Sequence, residues 1–122
     1  MAHIPPDHIR LKRVYKAVTR EDGQRVLVDR LWPRGMRKED PRIGVWLKPL
    51  SPSNELRKWY GHDAAQWDEF QSRYAEELRQ VPDDIAALRK VAREGIVTLV
   101  YAAQDETRNN AVALRNILLG RS

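Results

Sequence analysis

One six-residue run limits what this chain can become. Ile96-Val97-Thr98-Leu99-Val100-Tyr101 is apolar or β-branched throughout. A strand with one wet face alternates apolar and polar side chains, and this run does not. It reads as a strand covered on both faces, the position of a central parallel strand in an α/β sheet. Arg25-Val26-Leu27-Val28-Asp29 has the same continuous apolar middle. A long helical stretch separates the two, so a parallel pair joined by a right-handed crossover is expected.

The intervening helices announce their ends. Ser51-Pro52 is expected to open the first, because Ser accepts from free amides and Pro suits the first helical position. Leu56, Trp59 and Tyr60 form its apolar side, and Gly61 ends it. Asp63 and Gln66 have capping-box spacing. Trp67, Phe70, Tyr74, Leu78 and Val81 follow as one stripe. Pro82-Asp83-Asp84 starts a third helix with Ile85, Leu88 and Val91 towards the core, stopped at Gly95. Thr107 to Leu119 is expected as the last, with Ala111, Leu114 and Leu118 inward.

The first part of the chain is less explicit. Residues 1–7 hold two prolines and are expected to form a flexible arm. Ile9 to Tyr15 alternates apolar and basic residues in part, the pattern of a strand with one wet face. Its link to the second strand carries the turn signal Glu21-Asp22-Gly23 and is too short for a helical crossover. By spacing alone a hairpin stays open there. One helical turn is expected within Met36 to Arg42, and Val45-Trp46-Leu47 reads equally as a short strand or a packed loop. The expected fold is α/β: residues 8–122 as one domain, with a small, mainly parallel three- to four-stranded sheet, about four flanking helices and a Rossmann-like crossover.

Size and composition agree. A chain of 122 residues suits one core. It has no cysteine, which excludes disulfides and thiolate metal sites and fits a reducing compartment. No run approaches the roughly 18 apolar residues of a membrane span. A cytoplasmic protein with no membrane partner is the expectation. Through Lys48, twelve Lys and Arg stand against six Asp and Glu; from Pro49 onward, ten stand against eleven. Basic charge gathered in one half suggests an anionic partner.

Two strand ends carry the candidate site. Asp29-Arg30-Leu31-Trp32-Pro33-Arg34-Gly35 leaves the second strand, and Tyr101-Ala102-Ala103-Gln104-Asp105 leaves the last. Parallel strands deliver both to one sheet edge, where open α/β sheets bind ligands. Arg30 and Arg34 offer bidentate donors for phosphate or carboxylate. A helix beginning at Asp105 would aim free amides at the same place. Asn109 and Asn110 can donate and accept, and so orient a ligand. Histidine is the side-chain type suited to proton transfer, so His62 is, with Asp29, the candidate for it. Duller roles compete: Asp105 as a helix cap, Asp29 paired with a neighbouring arginine, His62 as a surface residue, and the four tryptophans as packing. His3 and His8 are weak metal ligands at best, so no metal is assigned. No phosphate loop, zinc motif or nucleophile elbow is present, and no cofactor is called for. The expected partner is an anionic small molecule, a nucleotide among them. The alternative is nucleic acid held by the basic half, and a third reading joins Trp46 and Trp59 in an exposed protein-binding patch. The oligomeric state is open.

The chain resembles the YeaO-like bacterial proteins of domain-of-unknown-function family 488. The matching pieces are Arg25 to Gly35, Leu56 to Asp63, Trp67 with Phe70 and Tyr74, and Val97 to Asp105 with Asn109-Asn110-Ala111. The resemblance implies a small α/β domain and a parallel first strand, and brings no established activity. Broader relatives carry a Cys-His-Arg triplet near the start of the last helix. Arg108-Asn109-Asn110 stands there in this chain, so no role that needs a thiol carries over. Names suggesting transcriptional regulation find no helix-turn-helix pattern here.

Overall fold

A computed structural model describes residues 3–121. Four strands form one sheet: β1 (Ile9–Arg13), β2 (Gln24–Leu27), β3 (Val45–Trp46) and β4 (Val97–Tyr101). Their spatial order is β1-β4-β2-β3, and every pair is parallel. All five residues of β4 are buried, as its unbroken apolar run requires. The hairpin left open by spacing is excluded, since β1 and β2 flank β4 in the same direction, with Arg10 and Arg25 both in register with Thr98. Val45-Trp46 resolves into a two-residue edge strand.

Four helices, α1 (Asn54–Tyr60), α2 (Trp67–Leu78), α3 (Pro82–Glu94) and α4 (Asn110–Leu118), all cover one face of the sheet. Alternation along the strands sorts the two cores. Val26, Val28, Val97, Leu99 and Tyr101 meet the helices, where Phe70, Tyr74, Leu88 and Leu114 are buried against them. Leu27 and Val100 point the other way and join Val14 and Met36, with Trp32, Ile43 and Trp46 at the margin. Loops cover that second face. Trp46 and Trp59 therefore lie in different clusters and make no common patch. None of the helices described is long and apolar enough to cross a membrane.

The link from β1 to β2 must travel the length of the sheet in about ten residues with no helix to do it. Arg25, only 3% exposed, holds it down. Its guanidinium donates to the carbonyls of Val14 at 3.2 Å, Lys16 at 3.0 Å and Ala17 at 3.4 Å. It also donates to Arg42 O at 2.6 Å and to the Asp22 carboxylate at 2.7 Å. Asp22 sits in a short 3-10 turn, Arg20–Asp22, closed by a reciprocal capping box with Thr19. Lys12 adds a second ion pair to it at 3.0 Å, and Thr98 Oγ1 donates to its carbonyl at 2.7 Å. Gly23 follows at φ 60°, where a Cβ would lie 2.1 Å from Ile96 O, so the chain passes β4 too closely for any side chain.

Several expected boundaries move. Ser53, not Ser51, caps α1, its Oγ accepting from Leu56 N. Asp63 caps a 3-10 turn that leads into α2, without a capping box. Val91 is 45% exposed; α3 buries Ile85, Leu88 and Ala92, so its inward stripe lies one residue away from Val91. Residues 36–42 make hydrogen-bonded reverse turns and no helical turn. In the expected arm, Ile4 packs against the core and Pro6–His8 forms one 3-10 turn, with Arg115 donating to Pro6 O and Ile9 O. Met1 and Ala2 lie outside the described residues.

Removing Arg25 leaves four carbonyls without their donor and Asp22 with Lys12 as its remaining ion-pair partner, a loss of about 3–5 kcal/mol. Arg25→Met is expected to lose that much in urea unfolding. Burial raises the Asp22 pKa, but hydrogen bonds from Thr19, Lys12 and Arg25 outweigh it and hold the carboxyl well below the ordinary range. The stability this gives is present above the unfolded carboxylate pKa of about 4 and is lost as pH falls below it. Asp22→Asn is expected to flatten the acid limb of a stability-versus-pH curve.

Candidate functional site

β2 and β4 end side by side, and a cleft of about 490 Å³ opens beyond them. At its inner end, the side of the strand ends, it is lined by Asp29, Ala102, Ala103 and Asn110. One wall is the loop Arg30 to Arg34, and another is the last turn of α1 with Gly61 and His62. Tyr15, just past β1, completes the mouth.

Asp29 is the most constrained group. Its Oδ2 accepts from Ala102 N at 2.9 Å, and its Oδ1 accepts from Asn110 Nδ2 at 3.0 Å. Asn110 Nδ2 also donates to Val28 O at 2.9 Å, tying the start of α4 to the end of β2. The Asp29 carbonyl accepts from Trp46 Nε1 at 2.8 Å. Burial raises the Asp29 carboxyl pKa above its ordinary value. The hydrogen bonds from Asn110 and Ala102 and the charges of His62 and Arg57 oppose the rise without cancelling it. Asp29 makes no ion pair with Arg30 or Arg34; its partners come from the other strand end.

The remaining expected site residues separate. Arg30 and Arg34 both line the cleft. Arg30 is held by Pro52 O at 3.1 Å and Ser51 O at 3.4 Å, which fixes its guanidinium with donors to spare. The Arg34 side chain is exposed, while its carbonyl accepts from Tyr15 Oη at 3.0 Å. His62 stands at the rim at φ 58°, an uncommon conformation for a residue with a side chain, its ring 5.8 Å from that of Tyr60.

Asn109 lines the cleft, and both ends of its amide are engaged. Its Oδ1 caps α4 at Val112 N, and its Nδ2 donates to Asp105 O. Asp105 does not line the cleft. Its carboxylate accepts from Thr107 N, Thr107 Oγ1 and Arg108 N, forming a turn that delays the helix to Asn110. Those backbone bonds lower its pKa. The amides expected to face a ligand beyond Asp105 are thus consumed by Asp105 itself.

The sequence reading missed Arg57 and Lys58, which bring two more cations to the cleft. Arg57 Nε is buried and has no hydrogen-bond partner among the described residues. The signal was available: Arg57 precedes Tyr60 by three residues, one helical turn, and so shares its face. Among the described residues no three His, Asp or Glu side chains gather as a metal site would need.

Residues 8–122 match a family model, DUF488-N3i, described as the inactive DUF488-N3 subclade. The chain belongs to this family. It is 48% identical over 113 residues to uncharacterized proteins of Mycobacterium tuberculosis and Mycobacterium bovis, covering 93% of this chain and 95% of each relative. It is 39% identical over 111 residues to the uncharacterized protein YeaO of Escherichia coli, covering 91% of this chain and 96% of that one. No solved structure matches. The YeaO-like resemblance is thereby shown, and the α/β fold is the one the parallel sheet and its helices display.

Two carboxyls on the same molecule should titrate in opposite directions. Carboxyl NMR is expected to find Asp29 above the ordinary range of about 4 and Asp105 below it. Asn110→Ala removes a bond that favours the ionised form, so the Asp29 value should rise further. The raised carboxyl contributes stability that fades as pH climbs through its folded pKa, the reverse of Asp22.

Proposed function

We propose that this cleft binds a small anionic molecule bearing phosphate or carboxylate. The observation that carries the reading is the gathering of Arg30, Arg34, Arg57 and Lys58 around one cleft. An anion is the partner that guanidinium groups match in shape and charge. Four cations are too many to be balanced by Asp29 alone.

Binding without turnover is the reading we favour over catalysis. The family's description as inactive supports it. His62 and Asp29 remain the groups that would move a proton. The nucleic-acid alternative draws less support, because part of the basic charge in the first half is engaged within the fold. Arg13 donates to Ala102 O and Ala103 O, Arg25 is buried, and Lys12 and Arg42 are paired with Asp22 and Asp40.

Calorimetry with phosphate and nucleoside monophosphates tests the proposal. Arg34 is exposed, so Arg34→Ala should leave the fold intact and weaken binding about tenfold or more, the loss expected of one charge-assisted hydrogen bond. Absence of binding by the wild type, or binding indifferent to Arg34→Ala, would overturn it. If nucleic acid is the partner instead, log affinity should fall by about 0.9 for each phosphate contacted per tenfold rise in salt.

A further inference from the structure

The two ends of the cleft differ in hydrogen-bonding character, and the difference specifies more than an anion. Beside Asp29 the donors of Ala102 N and of the Asn110 amide are spent on the protein itself. Ala102 N is given to Asp29, and both protons of Asn110 Nδ2 are given, one to Val28 O and one to Asp29 Oδ1. These two acceptors also fix which way the amide points, since a flip would set Asn110 Oδ1 against a carbonyl and a carboxylate. Asn110 Oδ1 is therefore left as an acceptor, with no donor reaching it from the described residues. Asp29 has about four lone-pair positions and uses two. The nearby carbonyls of Ala102 and Ala103 are already taken by Arg13. Asp29 and Asn110 Oδ1 thus offer a ligand acceptors. What the mouth offers is cationic donors. Aromatic rings, Tyr15, Trp32 and Tyr60 among them, also line the cleft.

We infer that the ligand is a guanine nucleotide, its base inward with adjacent N–H donors on Asp29 and its phosphate at the arginine-rich mouth. Guanine sets N1–H and the 2-amino group side by side, a pair that a carboxylate accepts as a unit. Adenine sets a donor beside a ring-nitrogen acceptor, which places lone pair against lone pair at Asp29. A volume of about 490 Å³ lies within the range for ligands of this size. A planar base suits the aromatic walls, where stacking contributes about 1–3 kcal/mol per base. Burial has already raised the Asp29 pKa, so that carboxyl gains from donors a ligand would bring.

The inference rests on the anion-binding reading, and the test separates the two. Calorimetry on the full chain would compare GMP, IMP, AMP and inorganic phosphate. GMP is expected to bind at least about tenfold more tightly than AMP, the discrimination of one good bidentate base contact. IMP, which keeps N1–H and lacks the 2-amino group, should fall between them. Asp29→Asn should abolish the preference while leaving the dependence on Arg34. Should that variant fail to fold, the order GMP, IMP, AMP on the wild type still decides. Equal affinity for GMP and AMP, or a preference for GMP that survives in folded Asp29→Asn, overturns the guanine assignment and leaves the anion reading standing. No binding of any of the four overturns both.

Discussion

A buried arginine makes this topology possible. A parallel sheet with β1 and β2 on either side of β4 needs a return path from the end of one to the start of the other. Helices normally supply that path and satisfy their own backbone. Here an extended segment supplies it, and its carbonyls need an outside donor. Arg25 gives one guanidinium to Val14, Lys16, Ala17 and Arg42, and Asp22 balances its charge. Without that cluster the loops on this face have little to hold them against the sheet. The desolvation of two charges is the cost of doing without a helix.

The cleft follows from the same topology. Both β2 and β4 run the same way, so their ends open together, and α4 starts from the loop that leaves β4. Asn110 stitches the two ends by holding Val28 O and Asp29 at once. The inner end is thus rigid and polar, built from backbone and two short side chains. The mouth is built from long cationic side chains on a loop and on the last turn of α1.

Much of this was legible in the residues. The unbroken run of β4 gave its central place, and the apolar stripes of α2 and α4 gave the helical layer. The convergence of Arg30, Arg34, Asn109 and Asn110 followed once β2 and β4 were taken as parallel. What escaped was whatever depends on local competition for hydrogen bonds. Asp105 and Asn109 both had the chemistry of a cap. Only the three-dimensional path decides that Asp105 closes a turn and Asn109 starts the helix. Arg57 escaped because a cation on a short helix reads as solvated surface unless its neighbours are known. The N-terminal charge surplus is partly internal, since a composition counts arginines and does not show that Arg13 and Arg25 donate to backbone.

With all four helices on one face, the sheet divides the molecule into halves of unequal character. The helical half is regular and draws order from its own backbone. The loop half has order only by attachment, through Arg25, the Trp32–Trp46 contact and a few carbonyls. Arg30 and Arg34 belong to that attached half, while Arg57, Lys58 and His62 belong to the regular one. The cleft therefore takes one wall from each half, and the seam between the two kinds of order runs along its floor.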